Sequence, residues 1–205
     1  MEIKRSIIVV ATLFLVLIGI FYFFRPNPVK NFPSSGRDII AFGDSLVQGV
    51  GSSKSGDFVS VLSKRIGLPI VNLGHSGDTT EDGLVRINDL DNFNPKVVLL
   101  LLGGNDYLKK VPIVETERNL SKLIENIQAR GSVVILLGVR GGLINDKFER
   151  MFQGLSNKYN TAYVKNVLSG LLLNTNYMSD AIHPNNTGYA FIADRIEPVL
   201  RDMIK

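Results

Sequence analysis

The sequence predicts an α/β domain, a buried parallel sheet with helices on both faces, preceded by one N-terminal transmembrane helix. Three observations carry that expectation. Short apolar runs alternate with longer mixed stretches of helical period, the pattern of strands and helices in α/β layers. Two runs, Val97–Leu102 (VVLLLL) and Val133–Leu137 (VVILL), are apolar at every position, as strands covered on both faces require. Ser6–Phe24 carries no charge over 19 residues and is almost wholly apolar.

In chain order, Ser6–Phe24 as a helix is about 28 Å long, close to the roughly 30 Å hydrocarbon core of a bilayer. Lys4 and Arg5 precede it, Phe21–Phe24 form an aromatic end, and Arg25-Pro26 stops it. Residues 1–25 therefore read as a membrane anchor. A cleaved signal segment and a buried soluble helix are the alternatives, but no A-x-A-like site follows Phe24. The charges on either side compete. The expectation is a cytoplasmic N-terminus with the following domain extracytoplasmic, or a secreted domain if the segment is cleaved. Residues 26–36, rich in proline and serine, read as a linker, and residues 37–205 as the globular domain.

Within that domain, strands are expected at Asp38–Phe42, Pro69–Leu73, Val97–Leu102 and Val133–Leu137, with a weaker one at Thr161–Val164. Asp57–Ile66 sets Phe58, Val61, Leu62 and Ile66 on one helical face. Glu115–Arg130 does the same with Leu120, Leu123, Ile124 and Ile127, and Gly131 follows as a stop. Lys147–Asn160 is a weaker helix. Asn186-Thr187 is placed to cap a last helix running toward Met203, which Pro198 is expected to kink or divide.

Composition excludes several chemistries. The chain has no cysteine, so disulfides, thiolate catalysis and zinc ribbons are ruled out. His75 and His183 are its two histidines, so a three-histidine metal site is impossible. The net charge of +4 comes largely from the N-terminal segment, and residues 31–205 hold 19 basic and 18 acidic groups. No basic stripe interleaved with aromatics points to nucleic acid. Gly49–Ser55 resembles a phosphate loop, but Ser53 stands where glycine must precede Lys54.

The polar motifs lie where α/β folds build sites. Gly43-Asp44-Ser45-Leu46 follows the first run, His75-Ser76-Gly77-Asp78 the second, and Gly103-Gly104-Asn105-Asp106 the third. Strand C-termini of a parallel sheet share one edge, and ligands bind outside it. Singly, each residue has a plain structural reading. Ser45 is a helix N-cap, Asn105 and Gly77 are turn residues, and His75 is structural or pocket-lining. Together they admit chemistry. Asp180 stands three residues before His183 and can accept from Nδ1–H, leaving Nε2 free as a base. Asn105 and a backbone N–H at Gly77 can donate to a developing oxyanion.

These blocks, in order, resemble the SGNH (GDSL-like) hydrolase family: Gly43–Leu46, Asn72 through Gly77-Asp78-Thr79, Gly103–Asp106, and Asp180 to His183-Pro184. The similarity is greatest to its bacterial thioesterase, arylesterase and lysophospholipase branch. The resemblance implies a three-layer α/β/α flavodoxin-like fold, a five-stranded parallel sheet in the order 2-1-3-4-5, and no cofactor or metal. It assigns Ser45 as nucleophile, His183 as base and Asp180 as its orienter. Ser45 and Gly77 N–H groups and the Asn105 side chain would form the oxyanion hole. The expected activity is hydrolysis of carboxylic esters or thioesters of small acyl or lipid substrates, with a monomer as the default state. A carbohydrate O-acetylesterase and a membrane-anchored binding protein on an inactive hydrolase fold are the rivals. Gly138–Asn145 matches no motif of the resemblance.

Overall fold

The computed structural model describes residues 28–140 and 146–205. The apolar segment Ser6–Phe24 and part of Gly138–Asn145 lie outside the described residues. Among the described residues, no helix is long and apolar enough to cross a membrane.

Five strands form one parallel sheet in the order β2-β1-β3-β4-β5: β1 Asp38–Gly43, β2 Ile70–Gly74, β3 Pro95–Leu101, β4 Val133–Leu137 and β5 Ala162–Val164. Between and after them run α1 Ser45–Gln48, α2 Phe58–Ile66, α3 Thr80–Val85, a 3₁₀ turn at Ile87–Asn92, α4 Gly104–Leu108, α5 Ile113–Ala129, α6 Lys147–Tyr159 and α7 Asn186–Met203. Helices α2 and α7 pack together on one face, and α3, α5 and α6 on the other. Every residue of β4 and nearly every residue of β3 is buried, which is why neither strand alternates.

Helix boundaries follow local chemistry. Asp57 caps α2 by accepting from the Ser60 N–H, and Gly67 ends that helix in the left-handed region. Asn185, rather than Asn186-Thr187, caps α7 by accepting from Gly188 N–H. Pro198 does not divide α7, which runs through it as one element. It faces solvent, where the Asp194 carbonyl that lost its helical donor is hydrated at little cost.

Register places the site. Gly43 of β1 pairs with Gly74 of β2 and Leu101 of β3, so these strands end level and their following turns emerge side by side. At the opposite edge, residues leading into β1 are held against the domain. Lys30 N–H donates to Asn160 O at 2.8 Å. Asn31 Nδ2 donates to Gln128 O and Ser132 O at 2.8 and 3.0 Å, and Ser34 Oγ donates to Gly131 O at 2.9 Å. The described chain thus enters the sheet from the edge opposite the three motif-bearing turns.

Candidate active site

The first turn is built by a close approach. A Cβ on Gly43 would stand 2.2 Å from the Leu101 carbonyl oxygen, so only glycine lets β1 end against β3 here. The next residue, Asp44, is the N-cap of α1, its carboxylate accepting from Leu46 N–H at 3.0 Å. Ser45 is therefore not the cap but the first helical residue, and its N–H lacks an intrahelical acceptor. Burial pushes the Asp44 carboxyl up to about 7, with Asp78 and Asp106 adding to the rise while Leu46 N–H and His183 oppose it.

Ser45 Oγ lies 3.1 Å from His183 Nε2. His183 Nδ1 lies 2.8 Å from Asp180 Oδ2. A carboxylate only accepts, so Nδ1 carries the proton and Nε2 of the neutral ring accepts from the Ser45 hydroxyl. Asp180 Oδ1 also accepts from the N–H groups of Ile182 and His183, at 2.8 and 2.7 Å. The hydrogen bond from His183, then those two N–H groups, hold the Asp180 carboxyl down at about 2. His183 sits outside any helix, before the isolated Met178–Pro184 bridge, as its neighbour Pro184 favours.

The second turn leaves β2 with His75 N–H donating to Gly43 O at 2.9 Å. His75 itself is exposed and does not line the cavity beside Ser45. Gly77 adopts φ +87°, a conformation that suits glycine. Among the described residues, neither the Ser45 N–H nor the Gly77 N–H has a protein acceptor. In the third turn Gly103 has φ +111°, and the Asn105 side chain donates one N–H to Asp78 O at 2.9 Å. That leaves its second N–H for a ligand. Asp106, almost fully buried, accepts from Thr80 N–H, Thr80 Oγ1 and Thr116 Oγ1, fastening α4 to the start of α3.

Ser45, Asn105 and His183 border one cavity of about 140 Å³. Its walls are largely apolar and include Leu46, Val139, Leu168, Leu172 and Ile182. Asp180 stands behind His183, and Gly77 lies outside the lining, beside the Asp78 carbonyl that holds Asn105. Among the described residues, no cluster of three His, Asp or Glu side chains is placed to bind a metal ion. Sequence reasoning assigned no role to Asp44, Arg86, Leu168 or Leu172. Arg86 has no spacing signal, and the two leucines come from the loop after β5, which no motif marks.

The structure is thus an α/β fold whose sheet edge carries a crevice and, beside it, a serine, a histidine and an aspartate in hydrogen-bonded series. The sequence pattern of the GDSL-like lipase/acylhydrolase family matches residues 41–191, and the chain belongs to that family. It is an ester-bond hydrolase. It is 28% identical over 175 residues to thioesterase 1/protease 1/lysophospholipase L1 of Escherichia coli, covering 81% of this chain and 84% of that protein. It is 27% identical over 183 residues to esterase TesA of Pseudomonas aeruginosa, covering 83% and 91%. A crystal structure of TesA matches with a TM-score of 0.75 at 26% identity, covering 82% of this chain and 99% of that one.

Proposed function

We propose that the protein hydrolyses carboxylic esters or thioesters of acyl or lipid substrates, with Ser45 as nucleophile, His183 as base and Asp180 as its orienter. The observation that carries this reading is the series Ser45 Oγ–His183 Nε2–Asp180, at 3.1 and 2.8 Å, opening on an apolar-walled cavity. His183 Nε2 takes the Ser45 proton as Oγ bonds to the carbonyl carbon. The carbonyl oxygen becomes an oxyanion, held by the Ser45 and Gly77 N–H groups and the free Asn105 N–H. The intermediate collapses, the bond to the leaving oxygen or sulfur breaks, and His183 gives its proton to that atom. Water then attacks the acyl-serine with His183 again as base, releasing the carboxylic acid and restoring Ser45. The apolar walls favour an acyl chain over the acetyl group of a carbohydrate ester.

Residues 1–25 serve in this reading as a membrane anchor, 26–36 as the connection and 37–205 as the hydrolase domain, held extracytoplasmically. The uncharged 19-residue run supports the anchor. Retention in the membrane pellet after alkaline carbonate extraction is expected, and release into the supernatant counts against it.

The deciding experiment is hydrolysis of p-nitrophenyl esters from acetyl to palmitoyl by the full chain and by Ser45→Ala. Serine-dependent turnover with an optimum beyond acetyl is expected. Equal turnover by a folded Ser45→Ala protein sinks the assignment, and activity restricted to acetyl selects the carbohydrate esterase.

A further inference from the structure

We infer that Arg86 is the positioning residue that holds the oxyanion donors in register. The inference rests on the reading above and extends it to a group that touches no substrate. Arg86 is the C-cap of α3, and its guanidinium lies beneath the turns that carry the donors. Its Nε donates to Asp78 Oδ2 at 2.6 Å, Nη1 to Leu73 O at 3.0 Å and Nη2 to Gly43 O at 2.8 Å. The Phe42 ring covers one face, with its centroid 4.0 Å from Cζ. One planar cation therefore grips the ends of β1 and β2 and the residue that follows Gly77.

Two of the three acceptors lead to the donors. Gly43 is two residues before Ser45, so its carbonyl sets the direction in which β1 delivers the Ser45 N–H. Asp78 follows Gly77 directly, so fixing its side chain fixes the peptide plane that carries the turn. The Asp78 carbonyl in turn receives the Asn105 amide. Without Arg86, the Leu73 and Gly43 carbonyls lose a donor and the Asp78 carboxylate loses its counter-charge.

The arrangement is a poor device for stability alone. The side chains of Arg86 and Asp78 are only 11% and 15% exposed, and a buried ion pair gains little over a well-packed apolar pair because both charges must leave water. What it does supply is geometry. The guanidinium fork is rigid and presents donors at fixed angles, and small errors in the placement of groups around a reacting centre cost rates heavily. Lysine has the charge but a single tetrahedral head, which cannot span three acceptors in one plane.

The test uses the full chain with Arg86→Met and Arg86→Lys. Steady-state kinetics on the best p-nitrophenyl ester are paired with two inhibitors. One is a trifluoromethyl ketone, whose tetrahedral adduct places an oxyanion in the hole. The other is the carboxylic acid product, which makes no such adduct. The inference expects kcat to fall roughly 10–100-fold in Arg86→Met, with KM within about threefold. Ketone affinity should fall in parallel with kcat/KM while acid binding is unchanged. Arg86→Lys should fold and recover only part of kcat, and it keeps the test decisive if Arg86→Met does not fold.

Wild-type kcat in either folded variant overturns the inference. So does a loss that appears in KM alone, or equal weakening of ketone and acid, because a merely structural residue would move both. Absence of Ser45-dependent turnover in the wild-type chain sinks the proposed activity instead, so the two failures are told apart.

Discussion

Replacing Asp106 with alanine tests how the second and third turns are joined. Its carboxylate accepts from Thr80 N–H at 2.9 Å, Thr80 Oγ1 at 2.5 Å and Thr116 Oγ1 at 3.3 Å. Thr80 and Thr116 are fully buried, so no water replaces the lost acceptor. The Thr116 hydroxyl lies in α5 and can turn back to a helical carbonyl. The Thr80 N–H cannot, because Thr80 is the first residue of α3 and has no preceding helical carbonyl, and the Thr80 hydroxyl proton loses the acceptor it uses here. Two orphaned buried donors at about 1–3 kcal/mol each give a loss of roughly 3 kcal/mol, since part of the gross energy returns when the carboxylate no longer has to be desolvated. At a urea slope of about 2 kcal/mol/M, that is a midpoint lowered by roughly 1.5 M. Asp106→Asn keeps one acceptor but turns an NH₂ group toward a donor, so it should lie between wild type and alanine. The assay is urea unfolding followed by circular dichroism, with ester turnover measured beside it. A midpoint shift below roughly 0.2 M in Asp106→Ala refutes the claim that this carboxylate fastens α4 to α3.

Two other perturbations separate rate from stability. Asn105→Ala removes one proposed oxyanion donor and should lower kcat roughly 10²–10³-fold with KM little changed; unchanged kcat removes Asn105 from the hole. Asp44 gives a pH dependence of stability. Because burial raises its carboxyl from 3.8 to about 7, the folded state holds that proton more tightly than the unfolded one. Its contribution is complete below about pH 4 and is lost as the pH rises through about 7, an effect of at most roughly 4 kcal/mol. Asp44→Asn keeps an acceptor for Leu46 N–H without the charge and should flatten this fall. Parallel stability curves for the two proteins between pH 4 and 8 count against a buried, raised Asp44.

The strands were readable because burial on both faces leaves an unbroken apolar run, as in VVLLLL and VVILL, and nothing else of that length is so uniformly apolar in the domain. The long helices were readable by their period. Helices α1, α3 and α4 were not, because four to six residues make too few turns for a period to show. Asp44 caps α1 and a Thr79–Asp82 capping box opens α3, but a cap alone does not mark a helix this short, and Asp106 reaching across to Thr80 N–H is invisible in sequence. Ser45 and Asn105 could be singled out because strand-end turns are read from the strands themselves, and His183 because Asp180 stands three residues before it. Arg86 could not be: it lies on a short helix, and its three acceptors come from residues 43, 73 and 78, a relation only the fold creates. Residues 29–34 illustrate the limit of composition. Proline and serine mark a segment without regular structure, yet Asn31 and Ser34 satisfy carbonyls at the ends of α5 and β4.

The two halves of the site are held by different means. The half with the proposed oxyanion donors is tied from below by buried groups, with Arg86 spanning Gly43, Leu73 and Asp78, and Asp106 joining α4 to α3. The half with the proposed base, His183, rides on a surface loop in which the Asp180 side chain is 53% exposed. What steadies that loop is close backbone contact. Ser179 N–H donates to His183 O at 2.8 Å, and Asn185 N–H to Tyr177 O at 2.9 Å. Gly51, at φ +92°, lies so near that a Cβ would stand 2.6 Å from the Pro184 carbonyl oxygen and 3.1 Å from the His183 Cβ. The buried Tyr189 hydroxyl donates to Val50 O at 2.7 Å and Asn186 Oδ1 accepts from Ser53 N–H at 2.8 Å, fixing this glycine-rich turn to α7. The phosphate-loop look-alike at Gly49–Ser55 therefore has a structural explanation. Gly51 lets one backbone press against another, and the backbone it approaches is the one that carries His183, while Gly49 makes room for the Asp57 side chain that caps α2.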